Sequence, residues 1–81
     1  MSYVVYILEC VDGTFYVGST DNLKKRLYAH NNLKSGAHYT KIRRPVVLKY
    51  SEEVPDFAIA RAREAEFKRW SRSEKLDFIN S

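Results

Sequence analysis

Residues 6–30, YILECVDGTFYVGSTDNLKKRLYAH, decide the fold. The run that opens this stretch, 3–10 (YVVYILEC), is β-branched, aromatic and apolar at both alternating positions. That is the pattern of a central strand covered on both faces. Val11-Asp12-Gly13 is turn chemistry, with Gly13 suited to positive φ, and a second strand follows over 14–19. Loop length decides where the tyrosines point. A two-residue Asp12-Gly13 loop pairs Val11 with Thr14 and puts Tyr6 and Tyr16 on opposite faces. A three-residue loop with Gly13 in a G1 bulge pairs Cys10 with Thr14, Leu8 with Tyr16 and Tyr6 with Gly18, so both phenols share a face. The three-residue loop is the preferred reading, and Gly18 then leaves open the space beside Tyr6. Thr20 or Asp21 caps the next helix, which runs to Asn31 or Asn32. Leu23 and Leu27 form its buried stripe, and Arg26 and His30 sit beside it one turn apart.

Downstream, 33–44 reads as a long loop containing Gly36, and Pro45 introduces a strand over 46–51 (VVLKYS). Pro55 fits the first turn of a second helix that reaches Trp70, with Asp56 in a favourable early position. Ile59, Ala60, Arg63, Phe67 and Trp70 share one face of it; Glu64 falls on one rim of that face and Glu66 on the other. Spacing does not choose between the two glutamates. Ser71 or Ser73 caps a short last helix in which Leu76, Phe78 and Ile79 pack back.

A length of 81 residues has room for one domain and one core, so the expected unit is a single domain over 1–81. The net charge of +4 leans toward an anionic partner. It conceals a sharper local imbalance: from Asn22 to Tyr50 there are eight basic residues and no acidic one. Lys24, Lys34, Lys41, Arg43 and Arg44 are the candidate phosphate contacts in that stretch. Cys10 has no second cysteine to pair with, so no disulfide partner and no cysteine zinc site is expected; its apolar strand reads as the home of a buried thiol. No apolar run is long enough to span a membrane and no secretory leader pattern opens the chain, so a soluble, cytoplasmic protein without a membrane partner is expected.

The residues above resemble the GIY-YIG nuclease superfamily, especially its small stand-alone bacterial members. The first motif stands here as Val4-Val5-Tyr6 and the second as Tyr16-Val17-Gly18, with Val4 at the position of the name-giving glycine. The Asp-Gly turn, Asn22-Leu23-Lys24-Lys25-Arg26-Leu27, His30-Asn31, Tyr39-Thr40-Lys41, Arg44-Pro45 and Glu64 ahead of Trp70 follow in order. Each motif is short; their order and spacing together cover essentially the whole chain. The resemblance implies an α+β fold, a three-stranded antiparallel sheet flanked by helices in the order β-β-α-β-α-α. It further implies that Tyr6 and Tyr16 line the site, that Arg26 contacts the scissile phosphate, that His30 assists and that Gly18 is structural. It makes Glu64, rather than Glu66, the ligand of one divalent metal, Mg²⁺ or Mn²⁺.

The chemistry suits those residue types. Phosphodiester hydrolysis needs an activated water, neutralised phosphate charge and help for the leaving oxygen. One glutamate can hold a Mg²⁺ that keeps most of its waters, and arginine offers fork geometry to the same phosphate. Tyr16 is assigned as the base or water-positioning group with Tyr6 in support. The function implied is that of an endonuclease acting on nucleic acid, DNA rather than RNA. A binding module that keeps the scaffold without cleaving, or a protein-interaction domain with a basic face, are the alternatives. The nuclease reading demands that both phenols share a sheet face with Arg26 and His30 over it. It also demands that Glu64 approach from the second helix, with a phosphate-sized cleft among the five groups.

Overall fold

The computed structural model describes residues 2–33 and 37–81. In chain order it has β1 (Tyr3–Glu9), β2 (Phe15–Thr20), α1 (Leu23–Asn32), α2 (His38–Lys41), β3 (Val47–Val54), α3 (Phe57–Arg69) and α4 (Arg72–Asn80). The three strands form an antiparallel sheet in the order β2-β1-β3, which puts the doubly apolar β1 in the centre. The α+β architecture expected from the sequence is the one observed.

The hairpin takes the three-residue loop. The Cys10 amide donates to the Thr14 carbonyl at 2.8 Å, the Gly13 amide donates to the Cys10 carbonyl at 2.9 Å, and Gly13 has φ +83°. Leu8 therefore faces Tyr16 and Tyr6 faces Gly18. Strand parity sorts the side chains into two layers. Tyr6, Leu8, Cys10 and Val46 pack with Tyr16, Leu23, Leu27 and Tyr39 beneath α1 and α2. Val5, Ile7, Val17 and Val54 pack with Ala60, Phe67, Trp70, Phe78 and Ile79 beneath α3 and α4. Cys10 is a buried free thiol, as its strand suggested.

Several boundaries differ from expectation, each for a local reason. Asn22, not Thr20 or Asp21, caps α1: its side chain accepts from the Lys25 amide at 3.1 Å. Thr20 still belongs to β2, and its hydroxyl accepts from the Asn22 amide at 3.1 Å. The segment read as a loop contains α2, a single turn anchored where the Lys41 amide donates to the Ala37 carbonyl at 2.9 Å. Gly36 and Lys34 lie outside the described residues. β3 continues beyond Ser51 through Glu52, Glu53 and Val54, which pair with Val5, Val4 and Tyr3. Glutamate is a poor strand former, but Glu52 is met by Arg63 at 2.8 Å and by the Tyr50 hydroxyl at 2.6 Å. Pro55 precedes α3 instead of opening it. Asp56 is the cap, accepting from the Ile59 amide at 2.9 Å. The packed stripe of α3 is centred on Ala60 and Phe67, and Ile59 is exposed. Ser71 caps α4 in a reciprocal capping box with Glu74.

Candidate active site

Tyr6 and His30 are brought together from β1 and α1. The register places Tyr6 on the α1 face opposite Gly18, where an added Cβ would lie 2.5 Å from the Tyr6 hydroxyl. Glycine is thus required by space at this position. Tyr6 Oη stands 2.8 Å from His30 Nε2, and His30 Nδ1 stands 2.8 Å from Thr40 Oγ1. Thr40 Oγ1 in turn donates to the Ala37 carbonyl at 2.9 Å. Tyr6, His30 and Thr40 are all buried.

Counting donors fixes the direction of this chain. The Thr40 proton is spent on Ala37, so its oxygen accepts from His30 Nδ1–H. His30 Nδ1 thus carries the imidazole proton and Nε2 a lone pair. The phenol proton therefore goes to Nε2, and His30 is the neutral Nδ1–H tautomer. Burial, with the charges of Arg26 and Arg44 behind it, pushes His30 down to about 4. Burial and the neighbouring Tyr16 push the Tyr6 phenol up to about 12, against the hydrogen bond and charge of Arg26. Both shifts favour the neutral pair, with the proton on the Tyr6 phenol and His30 as its acceptor.

Tyr16 lies beside this chain, its ring 5.1 Å from that of His30 and 6.0 Å from that of Tyr39, and it is only partly buried. Arg26 opens onto a cleft of about 220 Å³ between the end of β2 and α1, lined also by Thr20, Asp21, Asn22 and Lys25. Of the five predicted site residues, only Arg26 lines this cleft, so it is not the cleft among all five groups that the sequence reading demanded: Tyr6 and His30 are buried beneath α1, and Glu64 lies in the other layer.

Glu64 sits in the other layer, on α3. Ser19, whose parity turns it away from Tyr16 and Gly18, donates to Glu64 Oε1 at 2.7 Å. Lys68 Nζ holds Oε2 at 2.6 Å. Burial works against the Glu64 charge, but the bonds from Lys68 and Ser19 win and keep its carboxyl below the usual range. β2 is an edge strand, and through Ser19 it carries Glu64 on the face opposite Tyr16 and Gly18. Glu64 is near enough for its charge to raise the Tyr6 phenol further. Glu66 is set apart by its pairing with Arg63 at 2.8 Å.

The basic residues divide. Lys24 and Lys41 are exposed. Arg43 pairs with Asp12 at 3.0 Å, lies 4.0 Å over the Tyr39 ring and donates to the Tyr39 carbonyl. Arg44 donates to the carbonyls of His30 at 2.6 Å, Ala29 at 3.1 Å and Leu33 at 2.6 Å, closing the C-terminus of α1. Ser19 and Lys68 were not singled out from the sequence, and Thr40 only as part of the Tyr39-Thr40-Lys41 stretch, with no role of its own. Lys68 was findable one turn after Glu64. Nothing local links Thr40 to His30 or Ser19 to Glu64.

The donor set bears on the implied metal. Among the described residues no group of three or more histidine, cysteine or acidic side chains converges. A single ionised carboxylate, 18% exposed, suits a hydrated hard cation that takes its remaining ligands from water and phosphate. Such an ion would take the place of the Lys68 ammonium on Oε2.

A family model described as the GIY-YIG catalytic domain matches residues 2–77. A UPF0213 protein of Syntrophus aciditrophicus is 53% identical over 75 residues, covering 93% of this chain and 86% of that one. A UPF0213 protein of Staphylococcus saprophyticus is 45% identical over 78 residues, covering 96% and 94%. The solution NMR structure of a UPF0213 protein from Bacillus halodurans superposes with TM-score 0.63 at 36% identity, covering 99% of this chain and 84% of that one. A second solution NMR structure, of a protein from E. faecalis, gives 0.68 at the same identity and coverage.

Proposed function

The chain belongs to the GIY-YIG catalytic domain family, and on that premise we propose that it is a divalent-metal-dependent endonuclease that hydrolyses phosphodiester bonds in DNA rather than RNA. The observation that carries the reading is the convergence around the β2 edge. Arg26 lines a cleft with Thr20 at the end of β2, and Glu64 is bonded from the opposite layer to Ser19 of the same strand.

Arg26 receives the scissile phosphate on its guanidinium fork. Lys24 and Lys41 take flanking phosphates, and Lys34 is assigned the same role from the sequence. Arg43 and Arg44 support the wall of the site through Asp12 and the end of α1. Tyr16, the less buried of the two tyrosines, orients the attacking water, and as base it would take the water's proton only in its phenolate form. Tyr6 remains protonated and holds Arg26, with His30 behind it. Glu64 would hold the ion, whose charge would polarise the phosphate and acidify a bound water.

The test is a cleavage assay over nicked, branched, flapped and linear DNA and structured RNA, with Mg²⁺, Mn²⁺ or chelator. Wild type is expected to cut DNA only with a divalent ion. Glu64→Gln is expected to cut nothing while keeping its circular dichroism spectrum. Full activity in that variant would move the ligand away from Glu64. One observation favours a second reading, a binding module without turnover: both Glu64 oxygens already have partners. Salt-dependent DNA binding with no cleavage under any ion would select it.

A further inference from the structure

We propose that Thr40 is a positioning residue that, through the tautomer of His30, turns the Tyr6 phenol so that its lone pairs face Arg26. The inference starts from a buried chain that no local motif encodes. Thr40 lies on the single turn α2 and His30 near the end of α1, and both are wholly inaccessible to solvent. The links Oγ1–Nδ1 and Nε2–Oη are each 2.8 Å. The Thr40 hydroxyl is anchored in turn on the Ala37 carbonyl at 2.9 Å.

A neutral imidazole has one donor and one acceptor nitrogen, so whatever occupies one nitrogen dictates the other. An oxygen that accepts at Nδ1 leaves Nε2 as a lone pair. Nε2 then draws the Tyr6 proton inward, and the outward side of the phenol oxygen presents only lone pairs. The nearby Arg26 guanidinium, whose charge favours the phenol oxygen, can do nothing but donate and so is suited to those lone pairs. Were the imidazole in the other tautomer, Nε2–H would point at the phenol oxygen. The phenol proton would then turn outward, against the Arg26 donors. Thr40 thus decides, two side chains away, whether Arg26 has an acceptor to rest on. His30 has little freedom to avoid this choice, because Arg44 holds its carbonyl at 2.6 Å and the Tyr16 ring packs on its imidazole.

Thr40→Val keeps the shape and removes the hydroxyl; Thr40→Ser restores it. The primary measurement is the pair of imidazole ¹⁵N shifts of His30 in the full-length uniformly labelled protein at neutral pH. Wild type and Thr40→Ser are expected to show Nδ1 protonated and Nε2 bare, and Thr40→Val to show the Nε2–H form as the major species. Nε2–H in wild type, or an unchanged Nδ1–H form in Thr40→Val, would overturn the proposal. Should Thr40→Val not fold, Thr40→Ala, which also lacks the hydroxyl, takes its place with the same expected and overturning outcomes. The step from Tyr6 to Arg26 rests on the nuclease reading. There, Thr40→Val is expected to lower kcat about tenfold to a hundredfold with little change in KM, and Thr40→Ser to recover it. A protein that cleaves nothing would overturn the nuclease reading and leave the tautomer result standing. Active protein with the switched tautomer and unchanged kcat would overturn the positioning role alone.

Discussion

His30 is the residue whose environment has the plainest consequence for stability. Its folded value of about 4 lies below the ordinary 6.5, so between those limits the unfolded chain binds the extra proton. Stability contributed by the neutral imidazole is complete above pH 6.5 and is lost as pH falls toward 4. The loss should approach about 3 kcal/mol. The depressed carboxylates Glu52 and Glu64 start from 4.5 in the unfolded chain and act at lower pH. The slope of urea-unfolding free energy between pH 6.5 and 5 therefore reports His30, and His30→Gln is expected to flatten it. Gly18 allows a second test at this scale. A Cβ there would meet Tyr6 Oη at 2.5 Å, Tyr6 Cζ at 2.7 Å and Tyr16 Cε2 at 3.2 Å. Tyr6 cannot retreat without breaking its bond to His30. Gly18→Ala should cost about 1–3 kcal/mol in denaturant midpoint, with loss of the Tyr6–His30 hydrogen bond as its spectroscopic mark.

At the scale of elements, α1 depends on a residue beyond its own end. It has no acidic residue in its first turn, and His30 is the only basic residue in its last. Arg44 supplies what the helix lacks, three bonds to terminal carbonyls and a positive charge at the negative end of the dipole. Arg44→Ala should destabilise the protein by about 1–3 kcal/mol and speed amide exchange in the last turn of α1. A phosphate-binding arginine would behave differently, with unchanged stability and a weaker dependence of DNA binding on salt. The same comparison applies to α2, where Arg43 ties the turn to the β1–β2 loop through Asp12. The residue types of both arginines suggested phosphate contacts; their partners are the carboxylate and carbonyls of this chain.

Over the whole molecule, the basic segment from Asn22 to Tyr50 is less uncompensated than its sequence suggests. Asp12 reaches Arg43 at 3.0 Å and Glu9 reaches Lys49 at 3.7 Å, both acids coming from outside the segment. The charges on Lys24 and Lys41 stand on the surface of the α1 and α2 layer. Removing either should weaken binding to all DNA sequences about equally and lower the magnitude of the salt slope by about 1. Removing Arg43 should leave that slope unchanged. Titrations at several salt concentrations would check this, and equal slope changes for all three residues would refute the division.

What the sequence determined by itself was local in origin. The two parities of β1, the positive φ at Gly13 and the one-turn spacing of Arg26 and His30 depend on a few neighbouring residues each. From them follow the central strand, the three-residue loop and the shared face of Tyr6 and Tyr16. Helix caps were blurred because Thr20, Asp21 and Asn22 are all competent, and only the length of β2 selects Asn22. Tertiary structure decided the pairings: Ser19 with Glu64, Thr40 with His30, and Asp12 with Arg43. Backbone preference is short-ranged, whereas the partner of a polar side chain depends on which layers packing brings within about 3 Å. Glu64 and Glu66 are alike in sequence. They differ because α3 turns one toward the β2 edge and the other toward Arg63.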